Sequence, residues 1–206
     1  MTQIAAADER VLLWINSLAG RFPLLDTIMR LVVNDYFIPV SLSLILLGLW
    51  FWGKNIEQRE LHQRAFMAAT ASLGISCGMV KIANLFYDRP RPFEQIHLAD
   101  RLMPTVERIF YSPTDSSFPS NAAAIAFATA AVMWISRQKI VAGFLCFLTL
   151  LMSFARIYAG VHYPLDIVGG IAIAIIISYF VTKVVFPLAE PLPTLVLKLL
   201  RKLCLA

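Results

Sequence analysis

From Ile140 to Ala155 the chain runs sixteen residues without a charged side chain, and Arg156 then interrupts it. Comparable apolar stretches cover Tyr36–Trp52, Ala65–Phe86, Phe118–Ile135, Ile140–Tyr158 and Leu165–Phe186. Each approaches or exceeds the ~20 residues that cross the hydrocarbon of a bilayer. A chain in lipid must satisfy its backbone N–H and C=O groups within itself, which makes these segments helices. The composition agrees, with 59% hydrophobic and 15% charged residues where a soluble domain carries about a quarter charged. The expected architecture is all-α: a polytopic membrane helical bundle of five to six transmembrane helices, one domain over residues 1–206. Residues 8–33 mix apolar and charged positions at helical spacing and predict an N-terminal interfacial helix. Part of that segment supplies the sixth span if it crosses.

Asp8 and Glu9 precede this apolar run without a basic leader, so no cleavable signal peptide is expected. Cys77, Cys146 and Cys204 lie in apolar surroundings and are odd in number, which favours small buried hydrophobes over disulfides or a metal site. The loops sort by charge. Residues 53–61, the Ser136–Lys139 turn and the tail with Lys183, Lys198, Arg201 and Lys202 share one side, predicted cytoplasmic because it is rich in Lys and Arg. The net charge of +5 is that of basic membrane flanks and needs no nucleic acid.

Polar groups gather on the other side, at the ends of three helices. One stretch carries Lys81, Arg89 and Arg91, the second Pro119-Ser120-Asn121, and the third Arg156, His162 and Asp166. Ionisable groups at membrane depth are costly and face a cavity or a partner. Singly, Arg89 and Arg91 would pass for interfacial anchors and Lys81 for a snorkelling lysine. Together with Arg156 they offer four cations, and arginine's planar fork suits two phosphate oxygens at once. Pro164 suits a first helical turn, which puts Asp166 near that helix's start. There a carboxylate can accept the Nδ1 proton of His162 and leave Nε2 as a nucleophile. Ser120 or Asn121 caps a helix whose first N–H groups also form an anion site. No His/Cys/Glu spacing fits a catalytic metal, and no cofactor is expected.

In order and spacing these residues resemble the type 2 phosphatidic acid phosphatase family, in its bacterial integral-membrane branch. The third family signature, Ser-Arg-x5-His-x3-Asp, is met by Arg156, His162 and Asp166, with Ala155 for the serine. In the first, Lys-x6-Arg-Pro, counting back seven from Arg91 reaches Asn84, and Lys81 stands three residues earlier; the role is carried to Lys81, and to Arg91 ahead of Arg89. In the second, Pro-Ser-Gly-His, Pro119 and Ser120 match, Asn121 replaces the glycine, and Ala122 stands where the family has its histidine.

The resemblance implies a lipid phosphatase working without metal through a phosphohistidine on His162. Lys81, Arg89, Arg91, Ser120, Asn121 and Arg156 would hold the phosphate, and the missing histidine at Ala122 would have moved the proton. Undecaprenyl diphosphatases, which recycle the carrier lipid of cell-wall synthesis, are the nearest-looking members. This implies a bacterial inner membrane location, a periplasm-facing site and a lipid phosphate as the partner. Phosphatidylglycerol phosphate or lipid A phosphatases, a lipid-to-lipid phosphotransferase and a non-catalytic lipid-phosphate binder are the alternatives. Ala122 marks either a natural non-catalytic relative or a form of the enzyme disabled by one His-to-Ala exchange. The completeness of the remaining set favours the latter. Oligomeric state is not legible.

Overall fold

The computed structural model describes residues 3–34, 36–102 and 114–203, which are nearly all helical and contain no strand. The N-terminal segment is not the single interfacial helix expected from its periodicity. It forms α1 (Gln3–Asn16) and α2 (Pro23–Val32), because Gly20 takes a positive φ of 77° and Pro23 opens a new helix. Nor does α1 merely lie on the surface. It packs on later helices and buries Asp8 and Leu12.

The helix α3 (Phe37–Phe51) is apolar throughout, and its Ser41 and Ser43 hydroxyls donate to the carbonyls four residues back, at 2.7 and 2.9 Å. That spares two polar groups from lipid. Asn55 caps α4 (Ile56–Phe86) by accepting from the Gln58 N–H at 2.8 Å. With 31 residues, α4 is about 46 Å long, against a hydrocarbon layer of about 30 Å. Its polar first turns, with Glu57, Glu60 and Arg64, are the surplus. After Phe86 the chain passes through a 3₁₀ turn (Pro92–Glu94) and a short α5 (Ile96–Ala99).

The helix α6 (Asn121–Ile135) packs against α4, α7 (Lys139–Tyr158) and α8 (Pro164–Phe180) together. Its alanines permit this, since small side chains let helices approach closely. The fit with α8 needs Gly169 and Gly170. A Cβ on Gly170 would stand 2.6 Å from the Ser120 carbonyl oxygen, and one on Gly169 would stand 2.6 Å from the Phe118 ring. The helical run continues past α8 through a π-turn (Val181–Val185) into α9 (Phe186–Leu188). Pro187 carries no N–H, so regular hydrogen bonding cannot persist there. The amphipathic α10 (Leu192–Lys202) closes the chain.

The chain is a multi-pass membrane protein of helical architecture. Among the described residues, α4, α7 and the run Pro164–Leu188 are long and apolar enough to span. The pair α2 and α3, bent by 60°, qualifies only as one broken span. The span expected at Phe118–Ile135 starts at Asn121 and has 15 residues, shorter than predicted because Phe118–Ser120 belong to the turn before it. The polar start of α4 lies beside α10, where Arg201 meets Glu60 at 3.0 Å. The signature residues of the second and third motifs lie at the other end. Cys77 and Cys146 are free thiols of intermediate burial, and Cys204 lies outside the described residues.

Candidate active site

The end of α7 builds the site by ordinary helix chemistry. Gly160 has φ 70°, its N–H donates to the Ile157 carbonyl at 2.9 Å, and the Val161 N–H donates to Arg156 at 3.0 Å. This pair of bonds is a Schellman closure. It folds the chain back so that His162 lies beside the helix turn that carries Arg156. Tyr163 is extended, Pro164 starts α8, and the Asp166 carboxylate accepts the Tyr163 N–H at 2.8 Å. The local sequence from Arg156 to Asp166 thus sets the spacing of all three motif residues.

Asp166 is fully buried and held on several sides. Ser117 Oγ donates to its Oδ2 at 2.5 Å, and Arg89 Nη1 to its Oδ1 at 2.7 Å. The His162 Nδ1 lies 3.4 Å from Asp166 Oδ2 and 3.1 Å from the Ser117 carbonyl oxygen. Two acceptors therefore place the ring proton on Nδ1, with the backbone carbonyl the nearer. Nε2 faces the opposite way, 3.2 Å from Arg91 Nη1 and 3.3 Å from Ser120 Oγ. Burial first, and then the Arg156 and Arg91 charges, push the His162 pKa down to about 4 against the opposing hydrogen bond from Asp166. The imidazole is accordingly neutral at pH 7, with its Nε2 lone pair available.

That nitrogen opens on a cavity of about 260 Å³. Arg91, Asn121, Ala122, Arg156 and His162 line its polar end, together with Asp115, which sequence reasoning missed. Leu42, Leu46, Leu73 and Ile125 form an apolar wall from α3, α4 and α6. Arg91 is fixed by its own loop: Nε donates to the Asp115 carbonyl at 3.1 Å, Nη1 to the Val161 carbonyl at 3.2 Å, and Nη2 to Asp115 Oδ1 at 2.8 Å. Ser120 caps α6 with its side chain. Ser120 itself is buried, and its N–H donates to the Asp166 carbonyl oxygen at 3.0 Å.

Two predicted residues fall elsewhere. Lys81 is exposed on α4 and does not line the cavity. At about 100° per residue it stands about 80° around the helix from Leu73, whereas Asn84 stands within about 20°. Asn84 thus stands nearer the cavity side of α4 than Lys81, although it does not line the cavity either, whereas the sequence spacing suggested one common face for both. Arg89 does not line the cavity either. It lies behind His162, bridging Asp166 to Asp8 at 2.7 Å on each side, with its guanidinium carbon 3.7 Å from the Tyr163 ring centre. Burial opposes its charge, and the two carboxylates more than offset that, so its pKa is raised. Asp8 also accepts the Leu165 N–H at 2.9 Å, tying α1 to the start of α8.

Asp8, Ser117 and Asp115 had no local signal. A buried acid 158 positions before Asp166 is invisible to spacing, and Ser117 and Asp115 precede the signature that drew attention. Among the described residues, no three His, Cys, Asp or Glu side chains are grouped to hold a metal ion.

A buried neutral imidazole, flanked by guanidiniums at the mouth of a membrane helical bundle, defines a membrane phosphatase domain. The chain belongs to the PAP2 superfamily, whose family model matches residues 65–189. It is 33% identical over 165 residues to the undecaprenyl-diphosphatase BcrC of Bacillus subtilis (strain 168), covering 80% of this chain and 77% of that one. The crystal structure of Aquifex aeolicus LpxE superposes with a TM-score of 0.59 at 27% identity, over 84% of this chain and 93% of that one. A transmembrane PAP2-type phosphatidylglycerolphosphate phosphatase from Bacillus subtilis shares the fold, with a TM-score of 0.60 at 19% identity over 93% of this chain and 90% of that one.

Proposed function

We propose that this chain removes the terminal phosphate of a prenyl diphosphate, converting undecaprenyl diphosphate to undecaprenyl phosphate, at a periplasm-facing site in a bacterial inner membrane. The observation that carries the reading is the single cavity in which His162, Arg91 and Arg156 meet an apolar wall. A phosphate fits the polar end, and the first isoprene units fit along Leu42, Leu46 and Leu73. The 33% identity to an undecaprenyl-diphosphatase supports the same substrate, and the Lys- and Arg-rich opposite end supports the orientation.

His162 Nε2 attacks phosphorus in line, its electron pair forming the N–P bond as the P–O bond to the prenyl phosphate breaks. The Nδ1 proton stays with the ring, held by Ser117 and Asp166. Arg91, Arg156 and the first N–H groups of α6, beside Asn121, offset charge on the non-bridging oxygens. Water then cleaves the N–P bond and releases inorganic phosphate. No metal takes part.

Ala122 slows this cycle by about 10²–10⁴-fold relative to a histidine there. The loss is smaller for diphosphates, since a prenyl phosphate has a second pKa of about 6 and leaves with little help, whereas a lipid alcohol leaving a monoester needs a proton. The test is phosphate release in EDTA from undecaprenyl diphosphate, undecaprenyl phosphate, phosphatidylglycerol phosphate and lipid A, by the chain and by Ala122→His. The expected result is the highest rate on the first substrate, with a larger gain from Ala122→His on the monoesters. Equal gains on all substrates would refute the leaving-group argument, and no release by either protein would favour a lipid-phosphate binder.

A further inference from the structure

Position 122 leaves the cavity without the group that would handle protons, yet a carboxylate stands in the same wall. Among the described residues lining the cavity, Asp115 is the one acid. Asp166 does not substitute for it, being fully buried behind the imidazole and engaged by Ser117, Arg89 and the Tyr163 N–H. Ser43 and Thr129, which also line the cavity, spend their hydroxyl protons on the carbonyls of Pro39 and Ala126.

Asp115 is well placed for the task. One planar guanidinium links it to the nucleophile: Arg91 Nη2 is 2.8 Å from Asp115 Oδ1, and Nη1 of the same group is 3.2 Å from His162 Nε2. The carboxylate and the attacking nitrogen are therefore held by the same guanidinium and line the same cavity. Asp115 is half exposed, at 55% of its side-chain surface, so water reaches it. Its backbone carbonyl also anchors Arg91 Nε, which fixes the loop against the cation that would hold the phosphate.

We infer that Asp115 is a catalytic residue of this chain, the base that activates water against the phosphohistidine in place of the absent histidine at position 122. The inference rests on the phosphatase reading above. The step balances. Asp115 takes a proton from water as the water oxygen forms its bond to phosphorus, and the N–P bond breaks with its electron pair returning to His162 Nε2. The proton leaves with phosphate or to solvent. A carboxylate can accept the proton that this second half of the cycle releases, and the diphosphate leaving group asks for none in the first.

The experiment uses the full chain in detergent, undecaprenyl diphosphate labelled in its terminal phosphate, and EDTA. Parent, Asp115→Asn, Ala122→His, the double variant and His162→Ala are compared for steady-state release and for protein-bound, alkali-stable label. Asp115→Asn is expected to slow release by about 10²-fold while label accumulates on the protein. Adding Ala122→His to it is expected to restore release and remove the accumulated label, because the histidine makes the carboxylate dispensable. Label forming at the parental rate in Asp115→Asn also certifies its fold. Undiminished release in Asp115→Asn would overturn the inference. So would slow release without accumulation, or a failure of Ala122→His to rescue, since either outcome makes Asp115 a mere support for Arg91. Label and release persisting in His162→Ala would instead overturn His162 as the nucleophile, and no release by any of the five proteins would sink the phosphatase reading itself.

Discussion

At one end of the bundle, Arg89 is clamped between Asp8 and Asp166, both acids almost wholly buried. At the other end, Glu60 meets Arg64 at 3.2 Å and Arg201 at 3.0 Å, and Arg64 also pairs with Glu190, all of them partly exposed. The same residue types thus make two kinds of structure. The exposed pairs sit in high dielectric, where each is worth little. In the triad the two carboxylates are almost wholly removed from water, so both depend on Arg89 as their charged partner. Beside the triad, the cavity wall sets two guanidiniums against one carboxylate. The opposite end is richer in Lys and Arg overall, but the arginines paired there are partly exposed, whereas Arg91 and Arg156 are buried in one cavity wall, and that is why the site end suits an anion.

The largest expected effect that sharpens this contrast falls on the cavity. Arg156→Ala should lower kcat/KM for a lipid diphosphate by about 10²–10³-fold, the usual loss for one charge-stabilising group, while Arg201→Ala at the far end leaves it unchanged. Next comes the triad. Asp8→Ala should destabilise the protein by about 3 kcal/mol, the cost of stranding a buried partner, seen as a lower thermal midpoint in detergent.

A pH dependence follows from His162. Its pKa is about 4 in the fold and about 6.5 in an unfolded chain. The stability tied to its neutral form is complete above about 6.5 and is lost as pH falls toward 4, because the unfolded state takes up the proton first. His162→Gln should flatten that part of the stability profile. In single turnover, label transfer to the protein should hold its rate from pH 7 to about 5, where an ordinary imidazole would already have charged. The smallest effect belongs to the exposed pairs. Glu60→Ala should cost less than about 1 kcal/mol, and a loss as large as that of Asp8→Ala would erase the contrast between the two ends.

What could be read from the sequence follows the same division between local and distant. The helical bundle was legible because lipid leaves apolar runs no other form. Arg156, His162 and Asp166 were legible as a group because a Schellman turn and a proline-led helix start act over a few residues. The partners that hold them were not. Asp8 reaches Arg89 and Leu165 only after α1 docks, and Asp115 meets Arg91 only when the α4–α6 connection brings together residues 24 positions apart. Lys81 was misplaced because a shift of three residues also rotates a side chain by about 60°, enough to carry it off the cavity face. Arg89 was assigned to the phosphate because sequence order cannot distinguish a cation in front of an imidazole from one behind it.

Rapid quenching of the full chain with undecaprenyl diphosphate labelled in its terminal phosphate, in EDTA, tests the nucleophile directly. Alkali-stable, acid-labile label on the peptide containing His162, lost in His162→Ala, is the predicted result. Phosphate release with no label on that peptide, or label on another residue, would contradict it.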